Sequence, residues 1–344
     1  MNFGDLDLNT VWFILLAVLL TGYAVLDGFD LGVGMLHLFV AKNDDDRRVL
    51  LNAIGPVWDG NEVWLVTGGG ALFAAFPIVY ATVFSGFYLA LMALLCALIF
   101  RAVSIEVRSK HPAPLWRALW DFAFCAGSSL AALLFGVALG NLLRGIPLDA
   151  RGEYAGGFFD LLNPFALLLG VIALAHAALH GALFAVLKTD GEHQARLRSL
   201  AAKLVFPVTG LYAAFVAATP FLAPHLAERV KEHPALAALP LVTFAALLAV
   251  RPLQAKGRDG RAFLASAGAI VATMAMFALL MYPALVRNSA DPAHSLTVAN
   301  AASSTKTLSN MLVIALIGMP LVIGYTVFIY RIFRGKVTLD KTSY

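Results

Sequence analysis

Residues 11–36 read VWFILLAVLLTGYAVLDGFDLGVGML, an apolar run in which the only charged side chains are Asp27 and Asp30. About twenty consecutive apolar residues cross the hydrocarbon core as a helix. A helix is required there because lipid offers no partner to backbone N–H and C=O groups. Outward from this run, the same rule finds further spans at 56–76, 78–100, 117–143, 162–187, 202–224, 236–250, 262–285 and 309–333, with 236–250 short. Composition agrees: 60% of the 344 residues are hydrophobic and 13% are charged, and mean hydropathy is +0.80. A soluble domain carries about 25% charged residues. The expected fold is all-α, a polytopic membrane protein of about nine helices in a single domain over 1–344. It divides into a first four-helix unit at 11–143, a second at 162–285, and a peripheral last helix at 309–333. Pro56, Pro164 and Pro240 lie near helix starts, where a missing N–H costs little. Pro77 marks a tight turn between the second and third spans.

Loop charge gives the orientation. With the N-terminus outside and nine crossings, one face receives Arg144, Arg151, Arg229, Lys231, Arg287 and Lys306, six of the 25 basic residues, and the other receives 19. Cytoplasmic loops carry the excess of Lys and Arg, so the N-terminus is expected outside and the C-terminus in the cytoplasm. Omitting the span at 236–250 would scramble the later loops. The net charge of +4 is small and its carriers sit in loops, which excludes a nucleic-acid footprint. Cys96 and Cys125 fall inside apolar runs and read as small buried hydrophobes. Met1 to Thr10 holds no Lys or Arg, so the first run reads as a retained helix rather than a cleaved signal. Most tryptophans lie near span ends, as interfacial anchors do.

An ionisable residue inside a span costs roughly 2.5–3.5 kcal/mol on insertion scales and needs a partner or a purpose. Asp27 and Asp30, three residues apart, share one helix face. Gly28, Gly32 and Gly34 leave room for a neighbouring helix. The second span opens Gly55-Pro-Val-Trp-Asp59-Gly-Asn61-Glu62-Val-Trp64 and brings Asp59, Asn61 and Glu62 to a similar depth. The third ends Phe100-Arg101-Ala-Val-Ser104-Ile-Glu106-Val-Arg108, and Asp121 begins the fourth. The bland reading is helix-end ion pairs: Asp59 with Arg101, and Glu106 with Arg108 or Lys110. Against it, five acids facing the single in-span Arg101 cannot all be neutralised by pairing. The functional reading is a proton or cation path open to the cytoplasm, formed by Asp27, Asp30, Asp59, Asn61, Glu62, Arg101 and Glu106.

His176 and His180 stand four apart in the fifth span, a spacing able to hold a metal or haem iron. No in-span Met, Cys or carboxylate accompanies them, and hydrogen-bonded helix packing is the expected role. His37 and the remaining histidines sit at span ends or in loops. A thin echo between Gly22-Tyr-Ala-Val-Leu-Asp-Gly28 and Leu174-Ala-His-Ala-Ala-Leu-His-Gly181 is consistent with a duplicated four-helix unit.

Several motifs together resemble subunit II, the smaller subunit, of the cytochrome bd-type quinol oxidases. They are Asp27-Gly-Phe-Asp30-Leu-Gly-Val-Gly34, and Trp58-Asp-Gly-Asn-Glu-Val-Trp64 running into Thr67-Gly-Gly-Gly-Ala-Leu-Phe-Ala-Ala-Phe-Pro77. Arg101 with Glu106 and Arg108, Trp120-Asp121, Gly140-Asn141-Leu142 and Leu161-Leu-Asn-Pro-Phe165 add to them. The match is dense to about residue 165 and beyond that rests on spans and length. The resemblance implies a multi-pass subunit of the bacterial cytoplasmic (inner) membrane, in a complex that oxidises quinol and reduces dioxygen to water. It implies haems b and d in the partner, subunit I, no haem bound by this chain, and a bound quinone or lipid. Small single-span accessory subunits and membrane lipids complete the implied partners. It assigns this chain scaffolding and proton delivery, with Asp27, Asp30, Asp59, Arg101 and Glu106 on the path. Glu106 stands where the family often has aspartate, a change the chemistry tolerates with a longer reach, and the His176/His180 pair maps onto no family feature. The rival class is a cation or proton secondary transporter, which would show broken helices at corresponding places in two repeats.

Overall fold

The computed structural model describes residues 7–339. Among them, eight helices are long and apolar enough to cross a membrane, and nine if one bent helix pair counts as a span. The first helix, α1 (Leu8–Val40), starts where the Asp7 side chain accepts from Thr10 N. At 33 residues it runs about 50 Å, longer than the hydrocarbon core. The short α2 (Asp44–Ile54) follows, capped by Asn43. It buries Leu50, Leu51, Ala53 and Ile54 and leaves its acidic first turn free for ion pairs.

The second span is α3 (Trp58–Ala75). Here the structure corrects the run at 78–100. Residues after Pro77 form a separate helix, α4 (Pro77–Gly86), bent by 120° from α3, and the third span is α5 (Tyr88–Val107), continued by a 3-10 turn to Lys110. Proline has no N–H and clashes with the preceding turn, so a helix cannot run straight through it. The expected tight turn is thus a short helix. No second bent pair occurs among the described residues, which removes the repeated helix breaks that the transporter reading needs.

The remaining spans are α6 (Pro114–Arg144), α7 (Pro164–Lys188), α8 (Gly191–Leu222), α10 (Ala238–Ala255), α11 (Asp259–Met281) and α12 (Thr305–Ile332). Between α8 and α10 lies the amphipathic α9 (Pro224–Glu232). The weak seventh span is full length once its 3-10 lead-in from Pro234 is included, 22 residues in all. The loops after α6 and α11 meet: Ile146 N donates to Arg287 O, Ser289 N donates to Ile146 O, and a two-stranded ribbon pairs β1 (Ala284–Val286) with β2 (Leu296–Thr297).

Helix α1 is central, packing on α3, α6, α7 and α11, while α12 lies outermost with Leu308 its sole buried residue. Close approach explains the glycines. A Cβ on Gly32 would sit 1.9 Å from Ala177 O on α7, and one on Gly34 would sit 2.1 Å from Ser128 Oγ on α6. Gly28, expected to do the same, instead borders open space. Trp12 and Trp58 are core residues rather than interfacial anchors, and Trp12 Nε1 donates to Leu308 O of α12 at 3.0 Å. Of the cysteines, Cys125 is buried as expected but Cys96 is exposed.

Candidate functional site

The site is built on three helices that α1 brings together. Asp27 and Asp30 are fully buried on the α1 face turned toward α3 and α5. Arg101, also fully buried, reaches from α5 and binds Asp27 through two nitrogens, Nη2 to Oδ1 at 2.6 Å and Nη1 to Oδ2 at 3.3 Å. Its Nη1 also donates to Glu62 Oε1 at 2.5 Å. A two-toothed guanidinium–carboxylate contact fixes direction as well as distance, so Arg101 locks α5 to α1 and α3 at once. Asn61 serves Asp30: its Nδ2 donates to Asp30 Oδ2 at 2.6 Å and lies 3.3 Å from Leu26 O. Tyr330 of α12 donates its hydroxyl to Asn61 Oδ1 at 2.9 Å.

The cluster is incomplete in a specific way. Asp30 Oδ1 and Arg101 Nε are buried without a partner, as is the hydroxyl of Tyr23, one turn before Asp27. Three carboxyls surround one guanidinium, so charge is not balanced by protein groups alone. Glu62 is 23% exposed and links the buried layer to the surface. The arrangement can hold a proton or cation at Asp30 and pass it between Asp30, Asp27 and Glu62.

Of the seven residues expected here, Asp27, Asp30, Asn61, Glu62 and Arg101 converge. Asp59 does not: it is exposed, and Arg101 pairs with Asp27 and Glu62 rather than with Asp59 as the bland reading had it. Asp59 lies about 200° around the helix from Asn61; it shares a side with Glu62 but stands one turn nearer the start of α3, where its carboxylate is exposed. Glu106 is exposed as well, five residues and about 140° past Arg101 on α5. Tyr330 and Tyr23 escaped the sequence reading because a tyrosine in a span carries no signal of its own.

Nearby, Asp121 anchors a second ion network. It accepts from His37 Nε2 at 2.6 Å, from Arg47 Nη1 at 2.6 Å and from Arg108 Nε at 2.8 Å. Arg108, expected to serve Glu106, turns its guanidinium to Asp121 and Asp44, and Arg117 joins Asp44. His37, unremarkable in the sequence, is fully buried in this network. These bonds tie α1, α2, α5 and α6 at one membrane face.

His176 and His180 are buried in a separate hydrogen-bonded chain. His180 Nε2 donates to Val25 O at 3.1 Å, Ser266 Oγ meets His180 Nδ1 at 3.0 Å and His176 Nε2 at 3.3 Å, and His176 Nδ1 meets the Tyr212 hydroxyl at 3.1 Å. One set of neutral tautomers satisfies every bond, because a carbonyl only accepts and so fixes the direction along the chain. With all four ring nitrogens engaged, the pair does not fit a metal or haem iron. Among the described residues no group of three or more His, Cys, Asp or Glu is placed to hold a metal ion.

A cavity of about 280 Å³ lies between the two polar regions, bordered by Tyr23 and Gly28 on one side and His176, Tyr212 and Thr273 on the other. The rest of its wall is aliphatic and phenylalanine side chain.

Comparison with known proteins places this geometry. The family described as cytochrome bd terminal oxidase subunit II matches residues 8–333. Cytochrome bd-I ubiquinol oxidase subunit 2 of Escherichia coli K12 is 37% identical over 97% of this chain and 96% of its own. Cytochrome bd ubiquinol oxidase subunit 2 of Bacillus subtilis is 38% identical over 96% of this chain and 97% of its own. In fold, the chain is similar to one from the structure of bd oxidase from Geobacillus thermodenitrificans, with a TM-score of 0.78, 17% identity, and coverage of 95% of this chain and 99% of that one.

Proposed function

The chain belongs to the cytochrome bd terminal oxidase subunit II family, and from that premise we propose that its buried acidic cluster delivers protons to the oxygen-reducing partner. The chain is a multi-pass membrane subunit of a quinol:oxygen oxidoreductase complex. Within that complex, Glu62 receives protons from the cytoplasmic side, Asp27 and Asp30 relay them, and Arg101 holds the relay's charge and geometry. The observation that carries this reading is three carboxyls against one guanidinium, with Asp30 Oδ1 left without a protein partner. A buried charge without compensation is expensive, so the excess is met by protons that come and go.

The membrane is the bacterial cytoplasmic membrane, with the N-terminus outside, as the loop-charge asymmetry requires. Subunit I, which carries haems b and d, covers the α3 and α5 surface where Asp59 and Glu106 stand. An exposed carboxylate at the end of a span is costly against lipid, and a protein partner removes that cost. Asp59 and Glu106, both at the cytoplasmic ends of their helices, then stand at the entrance of the path rather than in its buried middle. The two four-helix units, 11–143 and 162–285, scaffold that contact. The cavity between Tyr23 and Tyr212 has the apolar wall and few polar groups of a small-molecule site, which suits a bound quinone or lipid tail.

The test is the assembled complex carrying Asp30→Asn. Asparagine keeps the shape and can still bond Asn61, but it cannot exchange a proton. The expected result is oxygen reduction slowed several-fold with the haem absorption spectrum unchanged. Full turnover in a correctly assembled variant would sink the proton-path reading.

A further inference from the structure

On the membrane face opposite the acidic cluster, two cavities of about 200 and 320 Å³ lie side by side where the loops after α6 and α11 meet the α8–α9 turn. His225 lines both, its Nε2 donating to Leu143 O at 3.0 Å. Arg144 lines the first, next to the N-terminus of α9, which has no side-chain cap. Glu228, Arg229, Glu232 and Arg287 line the second. Asp160, also at the first cavity, is turned to Gly157 N at 2.7 Å.

Two features set this place apart. Arg144, Arg229 and Arg287 are three of only six basic residues on the sparse face. That face is otherwise depleted of positive charge, so their convergence is not background. In addition, none of these arginines or of the two glutamates forms an ion pair among the described residues, although all five line adjoining cavities; Arg229 Nε donates instead to a backbone carbonyl, Leu279 O, at 3.1 Å. Charges of both signs are thus held apart around empty space. Apolar surface adjoins them: Leu222 borders the first cavity and Phe221 beside it is 85% exposed.

We propose that the two cavities together seat the zwitterionic headgroup of a membrane phospholipid, its phosphate on the Arg144 and Arg287 side and its ammonium on Glu228 and Glu232. Basic pockets at membrane faces bind lipid phosphates, and an uncapped helix N-terminus adds donors for an anion. A purely anionic headgroup would leave both glutamates unanswered and repelled. A zwitterion satisfies both sets, and its acyl chains lie along the exposed Phe221 and Leu222. The site is independent of the proton-path reading and shares no residue with it.

The complex, delipidated in detergent and placed in nanodiscs of equal phosphatidylethanolamine and phosphatidylglycerol, supplies the test, with native mass spectrometry reading the retained lipid. Phosphatidylethanolamine should be kept in preference, and inorganic phosphate should not displace it. Arg144→Gln with Arg287→Gln should lower its retention about a hundredfold, roughly tenfold for each lost charge-assisted hydrogen bond. Glu228→Gln with Glu232→Gln, both exposed and neutral for folding, should abolish the preference over phosphatidylglycerol; this pair decides the matter where the arginine variants fail to assemble. Equal retention of both lipids by the unaltered complex, displacement by phosphate, or a preference unchanged in the glutamate pair would overturn the proposal.

Discussion

The acidic cluster between α1, α3 and α5 and the histidine chain between α7, α8 and α11 are both polar inclusions at span depth, within one helix diameter of α1. They differ in completeness. Around His176 and His180 every ring nitrogen has a partner and no formal charge is needed. Around Asp27 and Asp30, a carboxylate oxygen and a guanidinium nitrogen lack partners and acids outnumber the base. A fully satisfied network stabilises helix packing and has nothing left to exchange. An unsatisfied, charged one needs a partner from outside the chain, which is the role that the proposed proton path gives to exchanging protons. Residue type alone would have ranked the two the other way, since histidine is the residue whose ordinary pKa lies near neutrality.

The largest break in this contrast should come from Arg101→Met. It strands Asp27 and Glu62 without their cation and should cost about 3–5 kcal/mol, the penalty for removing one partner of a buried pair. Yield of assembled complex and its thermal midpoint would report it, and an unaltered midpoint would mean the cluster is not charge-locked. Next is Gly32→Val, whose Cβ meets the Ala177 backbone carbonyl at 1.9 Å; α7 must shift, and the cost should be about 3 kcal/mol, the upper end for overpacking. Its readout is again the thermal midpoint. His176→Ala should cost about 1–3 kcal/mol by leaving the buried Tyr212 hydroxyl proton without its acceptor, while turnover per assembled complex stays constant. A drop in turnover there would bring the histidines into the proton path and blur the contrast. The smallest effect belongs to Tyr330→Phe, about 0.5–1.5 kcal/mol for one neutral hydrogen bond. Beyond that cost, it should loosen Asn61 and shift turnover slightly in the same direction as Asp30→Asn.

Much of this architecture was legible residue by residue. The nine spans, and the convergence of Asp27, Asp30, Asn61, Glu62 and Arg101, follow from one physical fact: charge inside an apolar run is costly enough to stand out. Asp59 and Glu106 were placed with them because they share a depth, but depth does not set helix phase. Glu106 lies about 140° around α5 from Arg101, and Asp59 sits in the first turn of α3, one turn short of Glu62, so both carboxylates stay exposed. His37 and Tyr330 left no mark because a histidine at a span end and a tyrosine inside a span are ordinary until a partner is seen.

The sequence by itself determined that this chain is a polytopic membrane protein and which side chains pay heavily for being there, since lipid solvation acts on each segment independently of its neighbours. Tertiary structure alone decided which of those side chains meet. That Arg101 chooses Asp27 and Glu62 over Asp59, that α12 donates Tyr330 to Asn61, and that two distant loops enclose unpaired charge all depend on helix rotation and on the close approach at Gly32. Those are properties of packing between segments, and no single segment encodes them.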